Sequence, residues 1–474
     1  MARLSSFLSR WACAPPLLLL TLHAAGQSSI ASYNGVHAIV GARIEVGDGR
    51  TIEKGTVVIK DGLIVAVSAD AAVPRGAEVL DGKGLTVYPG FIDAYSTKGY
   101  TAPAAPKSTV TDPNGDIANY ASAFMRETVR TGIHPEARVT AGLALAEDQL
   151  KGYQSSGFTT ALVAPTGGDM PGLTALVNLS GRSLRECVVL PMACEAFSFG
   201  GNSWGDSYPS SLMGHIAQLR QTLFDAQWYA QVRRCFDAGA SKRPPMDESL
   251  DALQPVVNGR IPVAFDADSS LQIGRAIDMS AEFGMKLLIA GGKEGWKRID
   301  DLKRTGTPVL LSLAFDKEPG AKPEGNEPKG GDAPAKSEEP ENPVKVAERK
   351  RLYDERLKNA AALSAAGIPF ALTTKGNPTP TAFMDNLRKA VKAGLTKEAA
   401  LRALTIDAAK IFGVDRQLGT IEAGKTANIT VLSSDFLDPK TKVKMLYIDG
   451  RKIDPDAPKA TPTFRFQFKG EGGN

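Results

Sequence analysis

From residue 87 to residue 373 the chain alternates two kinds of segment, and this constrains the fold more than any other feature. The first kind is a short apolar run: Val87–Asp93, Phe158–Val163, Thr174–Leu179, Val188–Met192, Ile261–Phe265, Lys286–Ala290, Pro308–Leu313 and Ile368–Thr373. The second is a helical stretch: Glu136–Ser155, Ser270–Phe283, Lys293–Lys303, Val346–Ala365 and Asn377–Ala393. Near-continuous apolar runs fit strands buried on both faces, as in a parallel sheet wrapped by helices. Repeated βα units over about 320 residues favour a (β/α)8 TIM barrel over an open sheet. A doubly wound sheet would need a phosphate-binding glycine motif, and the sequence holds neither GxGxxG nor GxxxxGK[ST]. One longer insertion places Leu212, Ile216, Leu219 and Leu223 on one helical face and runs to about Phe236. Thr396 is placed to cap a last helix ending near Gly413.

The ends of the chain read differently. Thr56–Lys60 and Leu63–Val67 flank Asp61-Gly62, a dipeptide suited to a two-residue hairpin turn. Ala427–Leu432 and Val443–Ile448 read as strands, and Asp449-Gly450 repeats the turn signal. Strands at both termini predict one small β domain assembled from the two chain ends. Residues 316–343 are rich in Pro, Gly, Glu and Lys. Such a stretch cannot bury enough surface to offset its ordering entropy, so it reads as a disordered loop after the seventh barrel strand. A lid over the barrel mouth is the less favoured reading of that loop.

At the N-terminus Arg3 and Arg10 precede Pro15–Leu22, followed by Ala24-Ala25-Gly26. This is the three-part pattern of a secretory signal with cleavage before Gln27, and it predicts a secreted or periplasmic protein. The apolar run is too short for a membrane span. A net charge of +4 over 474 residues gives no sign of nucleic-acid binding. Beyond the signal remain Cys187, Cys194 and Cys235, which form no disulfide framework. Cys187 and Cys194 fit either a pair or two buried thiols. The chain has four histidines. One lies in the signal, and His37, His134 and His215 fall far apart, so a histidine-built metal centre is hard to assemble.

Val87-Tyr88-Pro89-Gly90-Phe91-Ile92-Asp93-Ala94 resembles the amidohydrolase superfamily, in its imidazolonepropionase-like branch. Upstream, GTVVIKDGLIVAV at 55–67 resembles that family's N-terminal sheet. Downstream, AALRALTIDAA at 399–409 is similar to its last barrel helix, and LGTIEAGKTANITVL at 418–432 to the strand that returns to the sheet domain. Asp449-Gly450-Arg451 matches the closing hairpin. Beyond the signal peptide at 1–26, the resemblance implies a composite β-sandwich domain from 27–86 and 418–460. Between its halves lies a TIM barrel over 87–417, and 461–474 forms a tail. It also implies metal-dependent hydrolysis of C–N bonds at the barrel mouth.

The chain departs from the family where the metal should bind. The family's first-strand histidines are spaced i, i+2, and the matching positions are Tyr95 and Thr97. Its bridging ligand matches Asn178, and its fifth- and sixth-strand histidines match Asp266 and Gly291. Its eighth-strand aspartate, which ligates metal and takes the proton of the attacking water, matches Lys375. Of these six, Asp266 alone keeps a good hard-metal donor, whereas a catalytic metal needs about three protein ligands. No cofactor is expected on this reading. The Lys375 ammonium is expected to fill the vacated position and pair with Asp266 or Asp93. Asp268 shares an i, i+2 spacing with Asp266 and is a further pocket candidate, although capping of the next helix is its simpler role. Thr166–Gly172 contains adjacent glycines whose amides could hold an anion, against the simpler reading of a loop needing glycine dihedrals. His134 reads as a surface or packing residue.

Two functions follow. One is a catalytically degenerate homologue that binds a small polar ligand or partners an active amidohydrolase paralogue. The alternative is an active C–N hydrolase with a rebuilt site, holding zinc or another divalent metal.

Overall fold

A computed structural model describes residues 35–101, 132–200, 209, 211–319 and 342–456. The expected signal peptide, nearly all of the 316–343 loop and the tail lie outside the described residues. Both chain ends enter one eight-stranded sheet. Its order is Arg451–Ile453, Val443–Ile448, Ile429–Leu432, Thr86–Pro89, Val36–Glu45, Thr51–Lys60 and Leu63–Ser68, with Glu78–Asp81 also paired to Val36–Glu45. The halves join where Ile429–Leu432 runs antiparallel to Thr86–Pro89, Ile429 lying opposite Pro89. The boundary expected at 86/87 therefore moves: the chain leaves this sheet at Gly90, after Pro89. Both hairpin turns have positive φ at both central residues, Asp61 (51°) and Gly62 (84°), Asp449 (53°) and Gly450 (71°), as a type I′ turn requires.

The remainder is mixed α/β. Phe91–Ser96 pairs in parallel with Phe158–Val163. Glu195–Ser198, Val263–Ala267, Leu287–Gly291, Val309–Ser312 and Phe370–Thr373 form a second parallel series. The last strand meets the first: Thr373 Oγ1 donates to the Tyr95 carbonyl, and Thr374 N donates to Asp93 at 2.9 Å. Side chains alternate along these strands. Ala264, Ala290, Leu310 and Ala371 join one buried cluster with Ile92 and Leu162. Phe265, Ile289, Leu311 and Leu372 join another with Ile273, Phe283, Phe383 and Leu387 from the helices. The small residues thus face one side, and the larger ones meet the helical layer.

Two apolar runs depart from the parallel expectation. Within 174–179, Ala175–Asn178 runs antiparallel to Phe158–Val163, and Val188–Leu190 runs antiparallel to it in turn. A parallel return needs a crossover of a dozen or more residues, usually helical. Residues 164–174 hold no helix, so the chain simply turns back. The helical stretch expected at Glu136–Ser155 is also broken, into Val139–Gly142 and Glu147–Ser155.

Candidate functional site

The C-terminal ends of the parallel strands surround a cavity of about 380 Å³. Tyr95 and Thr97 come from the end of Phe91–Ser96 and its following turn, Pro165–Gly168 and Pro171 from the loop after Phe158–Val163. Phe197–Gly200 and Asp266 come from the next two strand ends, and Gln272 from the helix beyond. Phe199 stacks on Phe265 with ring centroids 4.4 Å apart.

Behind this cavity lies a group of alternating charges. Lys375 Nζ donates to Asp266 Oδ1 and lies 5.9 Å from the centre of the Tyr95 ring, within cation–π range. Its side chain is 13% exposed and that of Asp266 is 40% exposed. Asp268 Oδ2 pairs with Lys293 Nζ at 3.0 Å. Asp268 does not cap the next helix: Ser269 does, accepting from Gln272 N while Gln272 reaches back. Gly291 is the floor of this group. A β-carbon there would overlap Asp268 Oδ1 and come within 3.2 Å of Lys375 Nζ. The missing side chain is what admits the carboxylate and the ammonium. Burial, with the nearby Asp266 charge, holds the Tyr95 phenol well above its ordinary range.

Two candidates lie elsewhere. Asn178 is not at the cavity. Its Nδ2 donates to Asp449 Oδ1 at 2.6 Å, and its Oδ1 accepts from Thr160 Oγ1 and Asn428 Nδ2. It moors the C-terminal hairpin, because its antiparallel strand ends at the far side of the parallel set. Asp93 is wholly buried, accepting from Thr374 N and Oγ1 and from Tyr153 at 3.2 Å. A register shift between Asp93 and Ser96 turns Tyr95 into the cluster of Ile92 and Ala94, as bulges re-aim side chains.

Sequence reasoning missed a second pair, Asp169 with His215, just behind the cavity-lining Gly168 and Gly200. It also missed Glu195, wholly buried, with neither carboxylate oxygen hydrogen-bonded among the described residues. Burial holds that acid well above the carboxylate range. Neither has a local sequence signature. Cys187 and Cys194 are buried free thiols and Cys235 is exposed. Burial pushes the Cys194 thiol up to about 12. Among the described residues no group of three or more His, Cys, Asp or Glu side chains is placed to hold a metal ion.

Parallel strands opening onto a polar cavity, beside a sheet built from both chain ends, define a mixed α/β protein with its candidate site at the strand ends. Residues 340–453 match the model of the amidohydrolase family. An imidazolonepropionase of Shouchella clausii is 40% identical over 81 residues, 16% of this chain and 18% of that protein. An imidazolonepropionase of Geobacillus kaustophilus is 22% identical over 82% of this chain and 86% of its own length. The first curated relatives are thus matched over less than a fifth of their length. The crystal structure of an amidohydrolase from Thermotoga maritima superposes with a TM-score of 0.70 at 22% identity, over 88% of this chain and 99% of that one. Over most of its length the chain is thus similar to amidohydrolase-superfamily proteins, and it shares their fold.

Proposed function

We propose that this protein is a secreted or periplasmic amidohydrolase-superfamily member in which an internal ammonium replaces the catalytic metal. On this reading it is a catalytically degenerate binding or partner subunit. The parallel strands form a (β/α)8 barrel, and the sheet of both chain ends is its β-sandwich domain. The observation that carries the reading is Lys375 on Asp266, beside a Gly291 that offers no ligand.

The family's reaction uses a divalent cation to polarise a water, and the donors here do not suit one. Tyr95, Thr97 and Gly291 are not ligands for such a metal. Two unit charges 4 Å apart repel by about 4 kcal/mol at an effective dielectric of about 20. A divalent ion beside Lys375 would face roughly twice that. Asp266 is already neutralised. The cavity remains available to a small polar ligand through Thr97, Ser198, Asp266 and Gln272. No helix among the described residues is long and apolar enough to cross a membrane.

Elemental analysis of the purified protein tests this. Far less than one equivalent of zinc, manganese or iron is expected, with no amidase activity toward acyl dipeptides, cyclic amides or imidazolones. Stoichiometric metal, lost together with such activity on chelation, would establish the alternative of an active C–N hydrolase with a rebuilt site.

A further inference from the structure

Directly behind Gly168 and Gly200, which line the cavity, lies a pair that Lys375 and Asp266 do not touch. The loop after Phe158–Val163 brings Asp169 to the first turn of helix Leu212–Asp237, where His215 sits. Asp169 is 1% exposed and His215 8%. His215 Nδ1 lies 2.8 Å from Asp169 Oδ1 and 2.9 Å from Oδ2. Gly200 N also donates to Oδ1, at 2.8 Å. A carboxylate accepting from Nδ1 selects the tautomer with its proton there and leaves the Nε2 lone pair free. Nε2 has no hydrogen-bond partner among the described residues.

Gly200 lines the cavity and stands directly against Nε2. A β-carbon there would come within 2.9 Å of that nitrogen, and its φ is +91°. Among the described residues, glycine at this position is what leaves room between the imidazole edge and the cavity. This side of the cavity is held firmly: Ser198 N donates to the Asp169 carbonyl at 2.8 Å, and Ser198 Oγ to the Gly168 carbonyl at 2.7 Å. Burial pushes the Asp169 carboxyl up and His215 draws it back down.

We propose that Asp169 and His215 form a metal-independent proton-transfer site for small uncharged activated esters entering from this cavity. Water oxygen bonds to the acyl carbon while its proton passes to His215 Nε2. The bond from that carbon to the leaving oxygen then breaks, and the imidazolium returns the proton to the leaving group or to solvent. Asp169 is the positioning residue that orients the ring. The step needs no oxidant and no reactant other than water. It goes beyond the binding role above and does not depend on how Lys375 is read.

The test is hydrolysis of p-nitrophenyl acetate by the full chain with a chelator present. The rate should exceed that of buffer, and His215→Ala should lower the protein-dependent rate at least about tenfold. Added imidazole should restore part of the loss beyond the rate that imidazole gives in buffer alone, which a merely structural role would not allow. His134→Gln, at an exposed histidine paired with Glu136, should keep the full rate. A chelated protein no faster than buffer overturns the proposal. So does a His215→Ala variant as fast as the unsubstituted chain, or one that is slow and not rescued. If His215→Ala does not fold, Asp169→Asn decides, and an unchanged rate there overturns it.

Discussion

Burying an ionisable group is costly unless it finds a partner, and single residues in this protein meet that cost in two ways. Lys375 pairs with Asp266, and Lys293 with Asp268. Asp93 instead meets only neutral donors among the described residues. Desolvation raises its affinity for a proton, only partly countered by donors from Thr374 and Tyr95. Its folded value therefore lies above the unfolded one. The stabilisation is fully present below the unfolded value and is lost as pH rises through the folded one. Asp93→Asn removes this titration while keeping an oxygen for the Thr374 and Tyr95 amides. Urea unfolding from about pH 4 to about pH 8 should show the unsubstituted protein losing ground to the variant. A difference that does not change with pH would contradict the assignment.

Among elements, the two hairpins do more than reverse the chain. Gly62 and Gly450 face each other so closely that a β-carbon on Gly450 would stand 2.5 Å from Gly62 Cα. Asp449 at this turn holds Asn178 of the parallel-strand unit. Gly450→Ala should therefore cost about 2–4 kcal/mol, from the left-handed backbone and the overlap together. Denaturant midpoints measure this. A change below about 0.5 kcal/mol, the usual effect of a surface substitution, would mean that the turns are not packed as described.

For the whole molecule, the sheet of both chain ends ties the last strands to the first. Ile429, Val431, Met445 and Tyr447 are buried with Ile39, Val57 and Val87. At about 1.5–3 kcal/mol for each large apolar side chain, those four contribute on the order of 10 kcal/mol. That is comparable with the whole stability of a typical domain, about 5–15 kcal/mol. A chain ending before Leu418 also leaves Thr86–Pro89 without its antiparallel neighbour. It should be insoluble, or cleaved at once in limited proteolysis. A folded, protease-resistant truncation would show instead that the parallel-strand unit stands alone.

The parts legible without a structure are those whose causes lie within a few residues. Apolar runs marked the strands, Asp-Gly dipeptides the turns, and Thr396 the start of its helix, where it accepts from Ala399 N. Resemblance brought Tyr95, Asp266, Gly291 and Lys375 forward as one group, and they lie together in space. The same alignment misplaced Asn178, because strand direction depends on the connection and not on the strand's own residues. Asp169 and His215 are 46 positions apart, and neither local sequence announces the other. Their meeting depends on where a loop and an inserted helix pack, and burial then makes their pairing obligatory. Local chemistry thus wrote the elements and turns into the sequence. Which charges share a site was settled only when distant segments were brought into one low-dielectric interior.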